Sequence, residues 1–382
     1  LCPSEIWRRI YARMHDYYFT RGEAIDEMLR AELDESAERA IRRARESTER
    51  LMLILITYTL IATAFPFVLM MMFTFQTLLT GFGGGGMGNI VLFTVAFPAP
   101  FFIALFKIYA PKYYFLPLSV TARAWAWFLA LTVFTFIGVN RLPPSIYNSL
   151  PIGPLNVWQA AALSLAVGSL AGTLVISGTE RRLKGETFDF PLFLQDLFTE
   201  LRGGRAFTAA IASMKVTYRS MRDVSSKLKA WASLKLPYTE ILRRLAERQK
   251  LSVSRMSTLL ISTALEAGAS LEEAFSIVSD FAMRMRELWM ETESEKMSNY
   301  ITALVTAFIV LGSYAVLVKV LKIPVIAPIQ AERIKEGMMM QALTQSVVMA
   351  FSMGTVRTGH LTSSFRELLM LSLAAFVMML VV

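Results

Sequence analysis

Runs of about 20 mostly apolar residues, the length at which a helix crosses a bilayer, fall into two groups in this chain. A charged block, roughly Glu180 to Met297, separates them. Few folds are open to such a sequence. In a bilayer the apolar runs must satisfy their backbone polar groups internally, as helices, while the block between them must fold in water. Of 382 residues, 54% are hydrophobic and 18% charged, too apolar for a soluble domain of this length. Leu51–Phe73, with Pro66 as a kink site, and Ile90–Phe106, bent by Pro98 and Pro100, are the first two expected spans. Ala124–Val139 and Val157–Ser177 are the third and fourth, and Ile301–Val320 is the fifth. Met338–Met353 and Glu367–Val382 form a terminal hairpin of two more, the sixth diluted by Gln341, Gln345 and Ser346. The expected fold is all-α, a polytopic membrane protein of about seven transmembrane helices with a cytoplasmic antiparallel helical bundle.

Loop charges orient these spans. Segment 1–50, the Lys107–Lys112–Arg123 connection, the central block and the Arg357–His360–Arg366 turn are basic. The alternate connections, Thr74–Asn89 and Arg141–Asn156, are nearly uncharged. Positive-inside asymmetry therefore puts the N-terminus and the block in the cytoplasm of a multi-pass cell-membrane protein, and the C-terminus outside. The loop with Lys322, Glu332, Arg333 and Lys335 falls outside and fits this scheme least well. The net charge of +9 is read as orienting charge rather than as a nucleic-acid surface. One cysteine, Cys2, and two histidines, His15 and His360, in unlike contexts exclude a disulfide framework and leave little for a metal centre. The chain begins with Leu1, so either residues precede it or an unusual start codon has been read literally.

The block says one thing twice. Gly204-Arg-Ala-Phe207-Thr-Ala-Ala210-Ile211 recurs as Gly268-Ala-Ser-Leu271-Glu-Glu-Ala274-Phe275, and Leu197 and Leu201 upstream match Ile261 and Leu265. Phe190, Phe193, Leu194, Leu197, Phe198 and Leu201 make one apolar helical stripe, with Asp189 before Pro191 as its start signal and Gly203-Gly204 as its end. Phe207, Ile211, Met214 and Tyr218 mark the next inward stripe, and Thr239 can cap a helix carrying Ile241, Leu242 and Leu245. Ser270 with Glu273 is a capping box. It opens a helix in which no turn signal appears before Tyr300, so this helix is expected to run into the fifth span. Segment 1–50, acidic over Glu23–Glu38 and arginine-rich beyond, complements a helix dipole and sets arginines where anionic headgroups begin.

Phe190-Pro191, then Leu201-Arg-Gly-Gly204-Arg-Ala-Phe207, then Glu266-Ala-Gly268-Ala-Ser-Leu271-Glu-Glu-Ala274 ahead of a membrane span resembles the type II secretion system F domain. The tail Phe351-Ser-Met-Gly354-Thr-Val-Arg-Thr-Gly359 is more similar to the archaeal branch, the platform proteins of the archaellum and of archaeal type IV pili. The resemblance covers about half of the chain. It implies a platform that docks a cytoplasmic hexameric secretion ATPase and passes its motion to pilin or archaellin subunits, as a homo-oligomer, dimer or trimer, in the lipid bilayer. Family members usually carry two cytoplasmic helical domains. The expected division is therefore 1–50 as the remnant of a first F-type domain, 51–177 as four spans, 178–299 as a complete F-type bundle, and 300–382 as three spans.

No catalytic constellation emerges, and no enzyme activity or cofactor is expected. The glycine run Gly81–Gly88 lacks the Gly-Lys-Ser/Thr ending of a phosphate loop and reads as a hairpin connection. The expected partner-binding residues are Arg202, Arg205 and Glu266 at the glycine turns, with Arg243 and Arg244. Gly203, Gly204 and Gly268 are the turn-makers. A basic stretch over 181–255 would steer an acidic partner. Gly168 and Gly172, at small-xxx-small spacing in the fourth span, permit close helix approach, either within the chain or between copies. The rival reading is a transporter or channel subunit, disfavoured by spans almost free of ionisable groups.

Overall fold

The computed structural model describes residues 25–61, 68–69, 71–72, 75–76, 98–110, 116–141, 155–215, 217–249, 252–266, 268–320 and 328–381. Eleven α-helices have described bounds, joined by two short 3₁₀ turns, and no strand occurs among the described residues. The helices are α1 (Ile25–Thr59), α2 (Pro98–Tyr109), α3 (Leu118–Asn140), α4 (Val157–Arg202) and α5 (Phe207–Ser213). They continue with α6 (Arg222–Ser233), α7 (Tyr238–Arg248), α8 (Ser252–Glu266), α9 (Leu271–Val320), α10 (Pro328–Thr358) and α11 (Phe365–Val381). The described residues form two compact units. One draws on Leu1–Glu46 and Thr179–Glu293, the other on Ser47–Lys112, Leu116–Gly178 and Ser294–Val382.

The second unit is the membrane unit. Four segments are long and apolar enough to cross a bilayer: Leu118–Asn140, Val157–Arg202, Leu271–Val316 and Leu361–Leu380. They contain the third and fourth expected spans and most of the fifth and seventh, and they make the chain an integral membrane protein. The first and second runs, and with them Pro66 and the Gly81–Gly88 connection, lie partly or wholly outside the described residues. The sixth run sits in α10, which is helical but is not among the four. Its position explains its composition. Met338, Met339, Ala342, Met349, Ala350 and Met353 are all buried, so α10 is wrapped by protein and its polar residues are answered there instead of meeting lipid. The Tyr314 hydroxyl donates to Gln345 Oε1 at 3.1 Å, and Ser346 and Ser352 donate to carbonyls one turn back. By contrast only 11% of the apolar window of α3 is buried, leaving Val133, Phe134 and Ile137 exposed as a lipid-facing surface.

Close approach, more than bulk, organises this unit. A Cβ on Gly168 would lie 2.0 Å from Thr132 Oγ1 of α3, and one on Gly172 would lie 2.6 Å from the Phe365 ring of α11. The small-xxx-small spacing of α4 therefore serves packing within the chain. Phe365 in turn lies 4.9 Å from both Trp125 and Phe128, measured between ring centroids. At Gly354 a Cβ would fall 2.3 Å from Ser364 Cα, so α10 and the turn before α11 touch backbone to backbone. Below that contact, Arg357 Nε donates to Glu367 Oε1 at 2.9 Å, with the Glu367 side chain wholly buried.

In the other unit, α4 runs unbroken through Pro191, where a helix start was expected. Proline removes one ladder bond and crowds the carbonyl four residues back. Here Phe190, Phe193, Leu194 and Leu197 are each at most 2% exposed on either side of it, and burial of that stripe outweighs the local cost. Asp189 instead accepts a hydrogen bond from Ser220. The first part of α1, to Glu46, belongs to this same unit: Leu29, Leu33 and Ala37 join the core formed by 190–282. Three of its arginines are paired, Arg39 with Glu35 and Arg42 with Glu38 one turn away, and Arg45 with Glu291 of α9.

Substituting Gly354 by Ala should destabilise the membrane unit by about 3 kcal/mol or more, since neither backbone can yield. Gly312→Ala, with nothing within 4 Å of the new methyl, should be neutral. Thermal unfolding of both variants in detergent, followed by helical circular dichroism, checks this pair.

Candidate functional site

The doubled glycine unit is a pair of helix ends. Gly204 follows α4 at φ +74° and Gly268 follows α8 at φ +95°, a left-handed conformation that only glycine adopts at little cost. At the second turn Gly268 N–H donates to the Leu265 carbonyl at 3.1 Å and Ala269 N–H to the Ala264 carbonyl at 2.9 Å, the pair of bonds that closes a Schellman motif. At the first, Gly204 N–H reaches the Leu201 carbonyl at 2.9 Å. The next helices then begin. Phe207, Ala210 and Ile211 of α5 are buried, and so are Ala274 and Phe275 of α9. Helix α5 ends at Ser213, so Met214 and Tyr218 follow it in the connecting segment; they do not extend its stripe. The capping box forms in altered form: Glu273 N–H donates to Ser270 Oγ at 3.2 Å, while the Glu273 carboxylate takes the Ser270 hydroxyl at 2.8 Å.

A third copy of this turn escaped the sequence reading. Lys235 has φ +54° and is the one non-glycine with positive φ among the described residues. Lys235 N–H donates to the Ala232 carbonyl at 3.0 Å and Leu236 N–H to the Trp231 carbonyl at 3.4 Å, the same bonds as at Gly268. The flanking register also matches. Leu228 stands seven residues before Lys235 as Leu197 and Ile261 stand before Gly204 and Gly268, and all three are buried. Tyr238 follows three residues after it as Phe207 and Leu271 do in the other copies, with Ile241 and Leu242 in the places of Ala210 and Ile211. Helix α7 opens at Tyr238 after Pro237, without a side-chain cap from Thr239. The copy hid because lysine stands where the pattern has glycine.

The three turns lie at one end of the unit. The Phe207 ring is 6.3 Å from Tyr238 and 5.9 Å from Phe275, each a few residues past its own turn. The points where the chain leaves the unit gather at the opposite end. There Arg45 pairs with Glu291 and Lys184 pairs with Glu293. Between the two ends α9 advances about 33 Å at 1.5 Å per residue.

The expected docking residues fall at or near the turn end, in different electrostatic states. Arg202, Gly203, Gly204 and Glu266 are exposed, and Glu266 receives only a long contact from Ser262 Oγ at 3.5 Å. Arg205 is tied back to Glu200 and to Ser213 Oγ. Arg243 and Arg244 both bind Glu240, at 2.7 Å each. The hydrogen bond from Arg244, joined by the charges of both arginines, holds the Glu240 carboxyl below the usual glutamate range. Lys227 does the same for Asp223, aided by Arg182. Among the described residues no group of histidines, cysteines and carboxylates is placed to hold a metal ion.

Depressed carboxylates contribute stability above their unfolded pKa and lose it as pH falls through the folded value. The unit should therefore weaken on the acid side, below about pH 4. Since Asp223 is exposed and Glu240 partly so, the effect is small. Replacing both, Glu240→Gln with Asp223→Asn, should lower the neutral plateau of a melting-temperature profile slightly and leave its acid end unchanged, so that the limb between them flattens.

Compared with known families, residues 193–318 match the family described as type II secretion system (T2SS), protein F. The match runs from within α4 through all three turns and into the apolar half of α9, and it covers about a third of the chain. No curated protein and no solved structure matches the chain.

Proposed function

We propose, from the type II secretion F domain that residues 193–318 carry in an integral membrane protein, that this chain is a platform protein of a type IV pilus-like or archaellum assembly machine. In this reading the F-type bundle is cytoplasmic and docks a hexameric secretion ATPase, while the membrane unit receives pilin or archaellin subunits. The protein acts as a non-enzymatic homo-oligomer. The observation that carries the proposal is the F domain itself, together with the continuity of α9, which has no break from Leu271 to Val320. A helix without a hinge carries a push or a twist along its axis. ATPase strokes delivered to the bundle would pass down α9 and bias the release of pilin helices from the membrane. The resemblance of the tail, Phe351 to Gly359, to the archaeal branch supports the archaellum and archaeal-pilus reading.

The alternative, a transporter or channel subunit, draws on a different observation. Gln341, Gln345 and Ser352 line one face of α10, each at most 3% exposed, with neither amide atom of Gln341 partnered among the described residues. Stabilisation of the purified protein by a small solute would favour that reading.

The test is co-purification of the full chain with its cognate secretion ATPase. The wild type should retain the ATPase, and Arg202→Glu with Arg205→Glu should weaken retention about 10-fold or more, as charge reversal at an interface does. Site-specific cross-linking that finds no contact between residues 181–255 and the ATPase would remove the docking role.

A further inference from the structure

The three-turn end presents more than the basic surface expected from composition. Leu234, 69% exposed, and Tyr238, 45% exposed, project from the lysine turn as apolar groups in a region otherwise polar. Around them stand charges of both signs. Arg202 and Lys235 make no ion pair among the described residues, and neither do Glu266 and Glu272 across the third turn. Carboxylate partners hold Arg45, Lys184, Lys227 and Arg284 elsewhere in the unit, and Arg205, Arg243 and Arg244 close to the turns, so Arg202, Lys235, Glu266 and Glu272 are the charges that ion pairing leaves available at this end. Unanswered charge and exposed apolar side chains coincide at the end farthest from the chain exits. That end also keeps a lysine in a backbone conformation where glycine would relax, and retained strain of this kind marks sites held for a purpose other than stability.

We propose that this end docks a soluble protein whose surface offers an apolar recess to Leu234 and Tyr238. An acidic group there would face Arg202 and Lys235, and a basic group would face Glu266 and Glu272. The inference rests on reading the F-type bundle as a docking domain, and it changes the partner's chemistry from acidic to two-signed. An anionic membrane surface fits poorly, since Glu266 and Glu272 would meet like charge. Exposed charge at such a contact acts on specificity and association rate, while the desolvated apolar pair supplies the anchor.

Binding of the cognate secretion ATPase to the full chain in nanodiscs, measured by interferometry, tests this. Leu234→Ser with Tyr238→Ser should raise Kd about 10-fold. Lys235→Gly, which keeps the left-handed turn and removes only the charged side chain, should raise it several-fold with an unchanged or higher melting temperature. Arg202→Glu, and separately Glu266→Lys with Glu272→Lys, should each weaken binding and slow association. Tighter or unchanged binding of the double lysine variant overturns the two-signed surface and leaves a purely acidic partner. Unchanged binding of the Leu234/Tyr238 variant overturns the anchor. If these substitutions abolish self-association in light scattering while ATPase binding persists, the occupant is a second copy and the proposal fails. No binding by the wild type overturns both this proposal and the docking role it rests on.

Discussion

Where a helix ends and the chain reverses, the last carbonyls need new donors once helical φ is abandoned, and the unit built on α5 to α8 meets that requirement with one device used three times. At Gly204, Lys235 and Gly268 a single left-handed residue turns the chain, and its N–H is handed back to the turn just left. Everything else in the unit follows from where those turns sit. They set Phe207, Tyr238 and Phe275 against one another. They run α4 and α9 antiparallel, with Arg286 Nε donating to the Phe188 carbonyl at 3.1 Å. They also keep the points where the chain leaves the unit at the opposite end of the bundle. The N-terminal helix α1 completes the packing, with Arg284 of α9 bound to Asp34 at 2.8 Å.

The membrane unit answers a different constraint. Lipid supplies no hydrophobic drive for one helix to bury against another, so association rests on close packing and on polar groups that must be matched internally. Gly168, Gly172 and Gly354 provide the first, each admitting a neighbour that a methyl group would exclude. Gln345 with Tyr314, and Arg357 with Glu367, provide the second. These are the residues that dilute the hydropathy of α10 and of the final turn. A helix enclosed by other helices can carry them, whereas α3, mostly bare to its surroundings, has no charged residue from Ala124 to Val139.

What the sequence made legible follows the same division. Exposed apolar spans such as α3 and the far half of α9 announce themselves, because lipid contact demands hydrophobicity at every position. Span α10 does so less clearly, because its partners are protein. The glycine turns were visible since left-handed backbone normally requires glycine, and the third was not, since Lys235 meets the same backbone demand without the residue type that signals it. Pro191 misled for a related reason. Its local rule is sound, but a buried phenylalanine and leucine stripe on both sides outweighs one lost hydrogen bond. The docking residues were half legible: composition identified a basic stretch, yet ion pairing within the unit satisfies Arg205, Arg243 and Arg244 and leaves Arg202 unanswered. Which charges remain available is a property of the fold, and no count of arginines contains it.

That distinction bears on how such a bundle can be both stable and adaptable. The core that fixes the three turns is apolar and shared among five or more helices, so its stability is indifferent to the sign of a charge at the tip. Exposed groups there contribute little to folding, and they are the ones that govern encounter with a partner. Residues at the turn end can therefore change to follow a partner's surface while Leu197, Leu228 and Ile261 hold the frame beneath them. The strain at Lys235 is small enough to be carried by that frame. Each turn is closed by backbone bonds, and Phe207, Tyr238 and Phe275 pack against one another just past the three turns.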